Sequence, residues 1–323
     1  MTNSAQPSAD SHNPLRRAVV YGLGAMGRPM ARNLHQHGLL IGVKNRTAGK
    51  AQALQKELGL PDFPDDATLF SQADCVVTCV AADDDLKAVV RKITPHLAAG
   101  SVIIDTSTVS PETARELAED LKKQGIEFLD APMSGGVEGA RKGALSFMVG
   151  GDKNTFKRAR DIFAAMGNQI TWMGKSGQGQ AAKMVNQVMV AGIAQAVCEA
   201  LAFAEASKLN TDKLIEVLTA GAANNWFLEK RGHSMLKNEF GTGFKLSLLH
   251  KDLSICQSTV KRLDAELPII EQGLREYGEL MQKGYGDEDI SALIRLYRRI
   301  FHTDEHPGTP PDSNANLSEA TTT

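Results

Sequence analysis

Lys183, Asn186 and Gln187 are spaced so that, on a helix, an ammonium and two carboxamides share one face. They interrupt an otherwise apolar stretch, where polar side chains are costly unless they meet a ligand or one another. Burial would lower the lysine's pKa toward neutrality, which suits a general acid or base. A face simply turned to water near the helix start is the alternative. A second cluster is Asp130-Ala131-Pro132-Met133-Ser134-Gly135-Gly136. Ser134 offers a hydroxyl, and Gly135 and Gly136 expose backbone N–H groups that can cradle a carboxylate. A flexible turn would use the same residues.

A third set is the loop Gly22-Leu23-Gly24-Ala25-Met26-Gly27, a Gly-x-Gly-x-x-Gly between the apolar run 18–21 and a helical pattern reaching Gly38. Gly22 makes a tight turn, Gly24 admits a pyrophosphate to the backbone, and Gly27 lets helix pack on strand. The helix then offers free N–H groups and the positive end of its dipole to that pyrophosphate. The strand before and the helix after distinguish this from an ordinary glycine turn. At the end of the next strand stands Asn45-Arg46-Thr47, where a fold that takes NAD places a carboxylate for the ribose 2′-OH. Arg46 can instead grip a 2′-phosphate bidentately, helped by Asn45 and Thr47, which favours NADP over NAD. A solvated surface arginine is the other reading.

Other chemistries find no support. His35 and His37 lie on different faces of their helix, no CxxC or HExxH is present, and Gly174-Lys175-Ser176 lacks the upstream glycine of a P-loop. No metal is therefore expected. A formal charge of −2 gives no basic field for nucleic acid. No unbroken apolar run has the length of a membrane span, and the first residues read neither as signal nor as transit peptide. Four scattered cysteines fit a reducing cytoplasm. Residues 1–15 and 304–323 read as disordered tails.

The elements that must position these residues follow from periodicity. Strands are expected near 18–21, 39–44, 74–80, 101–105, 127–130 and 145–149, alternating with helices. Among those helices, 48–58 and 153–166 stand out, as does one capped by Ser110 with Pro111 at its first position. Such alternation predicts βαβ units on a largely parallel, doubly wound α/β sheet. After Gly177 nothing reads as strand. A long apolar helix from 180 to about 208 is followed by helices near 211–219, 225–236, 246–263, 268–282 and 288–302. The expected organisation is thus an α/β domain, 16–176, and an all-α domain, 177–303. Trp226 and Phe227 are candidates either for a pocket wall or for core.

The order of these motifs resembles a known family. Gly-Leu-Gly-x-Met-Gly-x-x-Met-Ala-x-Asn, Asp105-Thr106-Ser107-Thr108, Ala131-Pro132-x-Ser134-Gly135-Gly136, Gly177-x-Gly179-x-x-x-Lys183-x-x-Asn186 and Lys251-Asp252-Leu253 are similar to the β-hydroxyacid dehydrogenases. The resemblance covers about residues 17 to 300. It implies a Rossmann-type domain and an NADP-dependent oxidoreductase acting on a small anionic β-hydroxy acid or semialdehyde. Lys183 would be the catalytic acid or base, with Asn186 and Gln187 orienting it and the substrate. Ser134, Gly135 and Gly136 would bind the substrate carboxylate. Val80, Ala81, Thr108 and Lys251 would touch the cofactor, and the helical domain would form a homodimer or homotetramer. Two departures stand out: Gln187 replaces the frequent asparagine, and Val80-Ala81 replaces the usual Leu-Pro. Two alternatives share the architecture: an imine reductase, and a non-catalytic NADP-binding module. The first usually lacks the lysine, and some proteins of the second kind have lost it. The larger 6-phosphogluconate dehydrogenase is excluded by length and by Val190 where it carries glutamate.

Overall fold

The computed structural model describes residues 13–302 except 242. Among these, eight strands occur: β1 (Ala18–Tyr21), β2 (Leu40–Lys44), β3 (Cys75–Thr78), β4 (Val102–Asp105), β5 (Glu127–Asp130), β6 (Met133–Ser134), β7 (Leu145–Gly151) and β8 (Gly167–Gly174). They form one sheet in the order β2-β1-β3-β4-β5-β7-β6, with β8 paired to β7. The first five run parallel, β7 runs antiparallel to β5 and β6, and β8 is parallel to β7. Because the first five run the same way, their C-terminal ends line one edge. The order reverses between β1 and β3, which makes a crevice there.

Strands β1, β3 and β4 are buried at every position, as expected of parallel strands covered on both faces. Alternate residues feed two cores. Val20, Val77, Ile104 and Leu129 join one, with Met30, Leu34 and Phe163; Val19, Val76, Ile103 and Phe128 join the other, with Phe70, Leu86 and Ile93.

Helix Pro111–Lys122 begins as expected, the Ser110 side chain accepting the Thr113 N–H. Several elements differ from expectation. The stretch 153–166 is two helices, Lys153–Arg158 and Arg160–Met166, broken at Ala159. The edge strand β8 falls outside the expected strands, because its residues are largely exposed and carry no apolar alternation. Helix Gly136–Lys142 forms where the sequence suggests only a glycine turn. The expected 288–302 helix is a 3-10 turn, Ile290–Leu293, leading into Ile294–Ile300.

Of the two tails, 304–323 lies outside the described residues, as does 1–12. Leu15 corrects the first boundary: it is 1% exposed in the sheet core, and its N–H donates to the Arg158 carbonyl. A leucine that buries its side chain and pairs its backbone belongs to the folded unit.

Two compact units divide the described chain. One comprises residues up to Met189 together with Leu248–Glu271, the other Val190–Ser247 with the residues from Gln272. The composition shift at Gly177 marks the end of strand structure, whereas the first unit also takes in the start of helix Gln178–Ala206 and most of Leu246–Lys261. In the second unit Phe227 is core, and Trp226 is 54% exposed with the Arg231 guanidinium over its ring. By length and composition, Gln178–Ala206 could cross a membrane; half of its most apolar window is buried within the protein.

Candidate active site

Apart from Trp226 and Phe227, every candidate residue falls in the first unit, along the C-terminal edge of the sheet. Two glycines there are obligatory. Gly22 has φ +104°, and a Cβ on it would lie 2.1 Å from the Cys79 carbonyl oxygen. A Cβ on Gly27 would lie 1.8 Å from the Gly22 oxygen. Gly24 is different: it is exposed with open space above it.

Helix Gly27–Gln36 starts with no side-chain cap and no acidic residue in its first turn. Within that turn Pro29 has no N–H and those of Arg28 and Met30 donate to the Gly24 and Met26 carbonyls, so an anion would meet the dipole and the loop N–H groups just before the helix. This uncapped terminus beside an open glycine fits a dinucleotide pyrophosphate, held by the backbone of Gly24, Ala25 and Met26. Leu23 does not share that role, because its side chain is core and its N–H donates to Asn45 Oδ1 at 2.9 Å.

Asn45 thus ties the end of β2 to the glycine loop, and its Nδ2 donates to the Thr47 carbonyl at 3.1 Å. Arg46 projects into solvent, its side chain 89% exposed and Nη1 3.4 Å from Asp85 Oδ1. On the next strand ends, Val80 N–H donates to Ser107 Oγ, and Ser107 Oγ donates to the buried Asp105. Ala81 is exposed and Thr108 half-buried.

The catalytic candidates meet across long stretches of chain. Lys183 is buried, and its Nζ donates to the carbonyl of Met133 at 2.8 Å. That carbonyl immediately precedes Ser134, so the lysine is fastened beside the proposed carboxylate cradle. Gly135 (φ +121°) and Gly136 (φ +61°) turn the chain into helix Gly136–Lys142. Burial pulls the Lys183 pKa down to about 8, with the nearby Lys251 acting in the same direction and Asp252 against it.

Gln187 Nε2 donates to Asp252 Oδ2 at 2.6 Å, and Asn186 Nδ2 donates to Gln187 Oε1 at 2.8 Å. Lys251 Nζ donates to the Thr108 carbonyl at 2.6 Å and lies 2.8 Å from Asp252 Oδ1, off the direction of a good hydrogen bond. The structure therefore joins Thr108, Lys251, Asp252, Gln187 and Asn186 in one chain of contacts.

Asp252 stands in the Lys251-Asp252-Leu253 motif, but motif reading assigns it no role. It is 4% exposed, and its carboxylate anchors both Gln187 and Lys251. The available signal was an acid next to a lysine within an apolar helix. Among the described residues, no cluster of three His, Cys, Asp or Glu could hold a metal. All four cysteines are free thiols; burial pushes Cys79 up to about 11 and Cys256 up to about 12, so they are poor nucleophiles.

Comparison with known proteins identifies the family. Residues 17–174 match the NAD-binding domain of 6-phosphogluconate dehydrogenase, and 177–297 match the NAD-binding domain of NADP-dependent 3-hydroxyisobutyrate dehydrogenase. The 2-hydroxy-3-oxopropionate reductase of Escherichia coli is 34% identical over 85% of this chain and 94% of its own. The chain belongs to the β-hydroxyacid dehydrogenase family.

It is an NAD(P)-dependent oxidoreductase of the kind that acts on CH–OH groups of small acids. An NAD-dependent L-serine dehydrogenase of Pseudomonas aeruginosa is 30% identical over 88% of this chain and 98% of its own. A structure of Mycobacterium tuberculosis 3-hydroxyisobutyrate dehydrogenase with L-serine superposes with a TM-score of 0.80 at 30% identity, covering 88% of this chain and 99% of that one. Family membership accounts for the Rossmann-type sheet followed by helices.

Proposed function

We propose that this β-hydroxyacid dehydrogenase interconverts a small β-hydroxy acid and its semialdehyde, of the tartronate semialdehyde or 3-hydroxyisobutyrate type, with NADP as the preferred cofactor. The observation that carries the reading is the buried Lys183 ammonium, held at the Met133 carbonyl beside Ser134 with its pKa lowered to about 8. The loop residues Gly24, Ala25 and Met26 would hold a nicotinamide cofactor, which would supply or accept the hydride. In reduction, Lys183 donates a proton to the oxygen that becomes the alcohol, and its charge stabilises that oxygen as it turns negative. In oxidation the same nitrogen, deprotonated, takes the alcohol proton.

Gln187 is held rigid by Asp252 and in turn fixes Asn186, so both amides stand ready to orient the substrate. Ser134 and the N–H groups of Gly135 and Gly136 receive its carboxylate. Asn45 and Arg46 support NADP, since the end of β2 carries no acid to repel a 2′-phosphate and an unburied guanidinium to meet it. The retained lysine speaks against both an imine reductase and a non-catalytic module.

We also place the chain in the cytoplasm as a homodimer or homotetramer. Four free cysteines support the first, and exposed Val185, Met189 and Phe203 on one helix support the second. A screen of small hydroxy acids and semialdehydes with NADPH and NADH tests the reading. Turnover restricted to substrates that carry a carboxylate is expected; equal turnover of uncharged analogues would overturn the carboxylate cradle.

A further inference from the structure

Asp130 ends β5, and its carboxylate is fully buried. One oxygen accepts the N–H of Gly177 at 2.8 Å, the other that of Gln180 at 3.0 Å. Gln180 is the third residue of helix Gln178–Ala206, whose first turn contains no acidic residue. A carboxylate delivered from the sheet therefore caps this helix and meets the positive end of its dipole.

The approach is close enough to demand glycine on both sides. A Cβ at Gly150 would lie 2.6 Å from Asp130 Oδ1, and one at Gly179 would lie 2.8 Å from Oδ2. Burial raises the Asp130 pKa to about 6, opposed by the backbone N–H groups it accepts. It is thus ionised at neutral pH.

The helix turns that follow carry one buried polar face. Gln180, Lys183 and Gln187 are 0%, 8% and 1% exposed, and each is bonded to another segment of the first unit. Gln180 donates to the Ser107 carbonyl and accepts from the Val109 N–H. Lys183 reaches Met133, three residues beyond Asp130 on the same segment. One short stretch, 130–133, therefore grips the helix backbone with a carboxylate and the lysine with a carbonyl.

We propose that Asp130 is a positioning residue for the reaction: it fastens the first turn of the helix to the sheet edge and so seats the Lys183 ammonium at the Met133 carbonyl. This rests on Lys183 being the proton donor. A displacement of about 1 Å at a catalytic group costs roughly a hundredfold in rate. Release from the seat also rehydrates the ammonium and restores its ordinary acidity.

The test is Asp130→Asn in the full chain, which keeps the shape but points an amide N–H₂ at one of two N–H donors. Expected are a kcat lowered about tenfold to a hundredfold and cofactor affinity by fluorescence titration unchanged within about twofold. The alkaline limb of reductive kcat, which the lowered Lys183 pKa places near pH 8 as the expectation for the native protein, should move up by about one unit in the variant. The charged and titratable groups facing Lys183 are Lys251, Asp252 and Cys256, none of them altered.

A merely structural role would lower the amount of active protein and leave the limb in place. A folded Asp130→Asn with an unmoved limb therefore overturns the proposal. Should that variant not fold, Gly179→Ala displaces the helix end with the carboxylate intact, and the same two changes are required of it. Lys183→Ala separates the two claims. If the limb persists in that variant, the proton-donor reading fails; if it vanishes there but stays put in Asp130→Asn, only the positioning role fails.

Discussion

Replacing Asn45 by Asp and Arg46 by Ala together should reverse the cofactor preference. Arg46 is 89% exposed, and its recorded partner is Asp85 at 3.4 Å. A well-made charge-assisted hydrogen bond is worth ~1.5–3 kcal/mol, but exposed ion pairs deliver only ~0–1. Binding a 2′-phosphate also requires Arg46 to leave Asp85, whose carboxylate repels the newcomer. A net advantage of about 1 kcal/mol follows, which is a preference for NADPH of roughly five- to tenfold.

The double change is clean because the carboxylate brought in by Asn45→Asp can still accept the Leu23 N–H that Asn45 now holds; only the donation to the Thr47 carbonyl is lost. It removes the phosphate partner and supplies an acceptor for a ribose hydroxyl. The variant should favour NADH by about tenfold. Dissociation constants from fluorescence titration and the ratio of kcat/KM values both read this. The native preference should shrink as salt rises from about 0.05 to 0.5 M, since exposed charges are screened. A native ratio at or below one would refute the reasoning and make Arg46 a surface residue without a role in cofactor choice.

Other expectations follow from the same contacts. Gly22→Ala places a Cβ 2.1 Å from the Cys79 oxygen at φ +104°, so the loop must shift; cofactor affinity should fall at least about tenfold, checked by titration. Phe163→Ala empties a fully buried site beside Phe147 and should cost ~3–5 kcal/mol in denaturant unfolding; a loss under about 1 would contradict that packing. Ser134→Ala and Gly135→Val should raise KM for carboxylate substrates, the glycine change more because φ there is +121°. Equal effects on charged and uncharged forms of one substrate would misplace the cradle.

Much of this architecture is legible in local sequence, because local physics sets it. Gly22 and Gly27 announce a close approach that only glycine permits, and Ser110, Asn225 and Pro268 mark helix starts where the structure places them. The parallel strands declare themselves as continuous apolar runs. What periodicity could not show is structure without an apolar signature, such as the exposed edge strand β8 and the glycine-rich helix Gly136–Lys142.

The site divides in the same way. Lys183, Ser134 and the loop glycines carry recognisable chemistry in their own neighbourhoods. Asp252 and Asp130 act on partners brought near only by the fold: Asp252 on Gln187, and Asp130 on Gly177 and Gln180. Their importance lies in burial and hydrogen bonding, neither of which a linear pattern records. Arg46 shows the reverse case, where residue type suggests a clamp and the structure adds the exposure and the Asp85 pairing that limit its strength.

The central claim is that Lys183 is the proton donor, and Lys183→Ala addresses it most directly. Turnover should fall by ~10²–10⁴-fold, the usual worth of a positioned acid or base. The titrated cofactor affinity should remain close to that of the native protein, because Lys183 is bonded at Met133 and not at the glycine loop. A folded variant that binds cofactor and turns over at near-native rate would contradict the account.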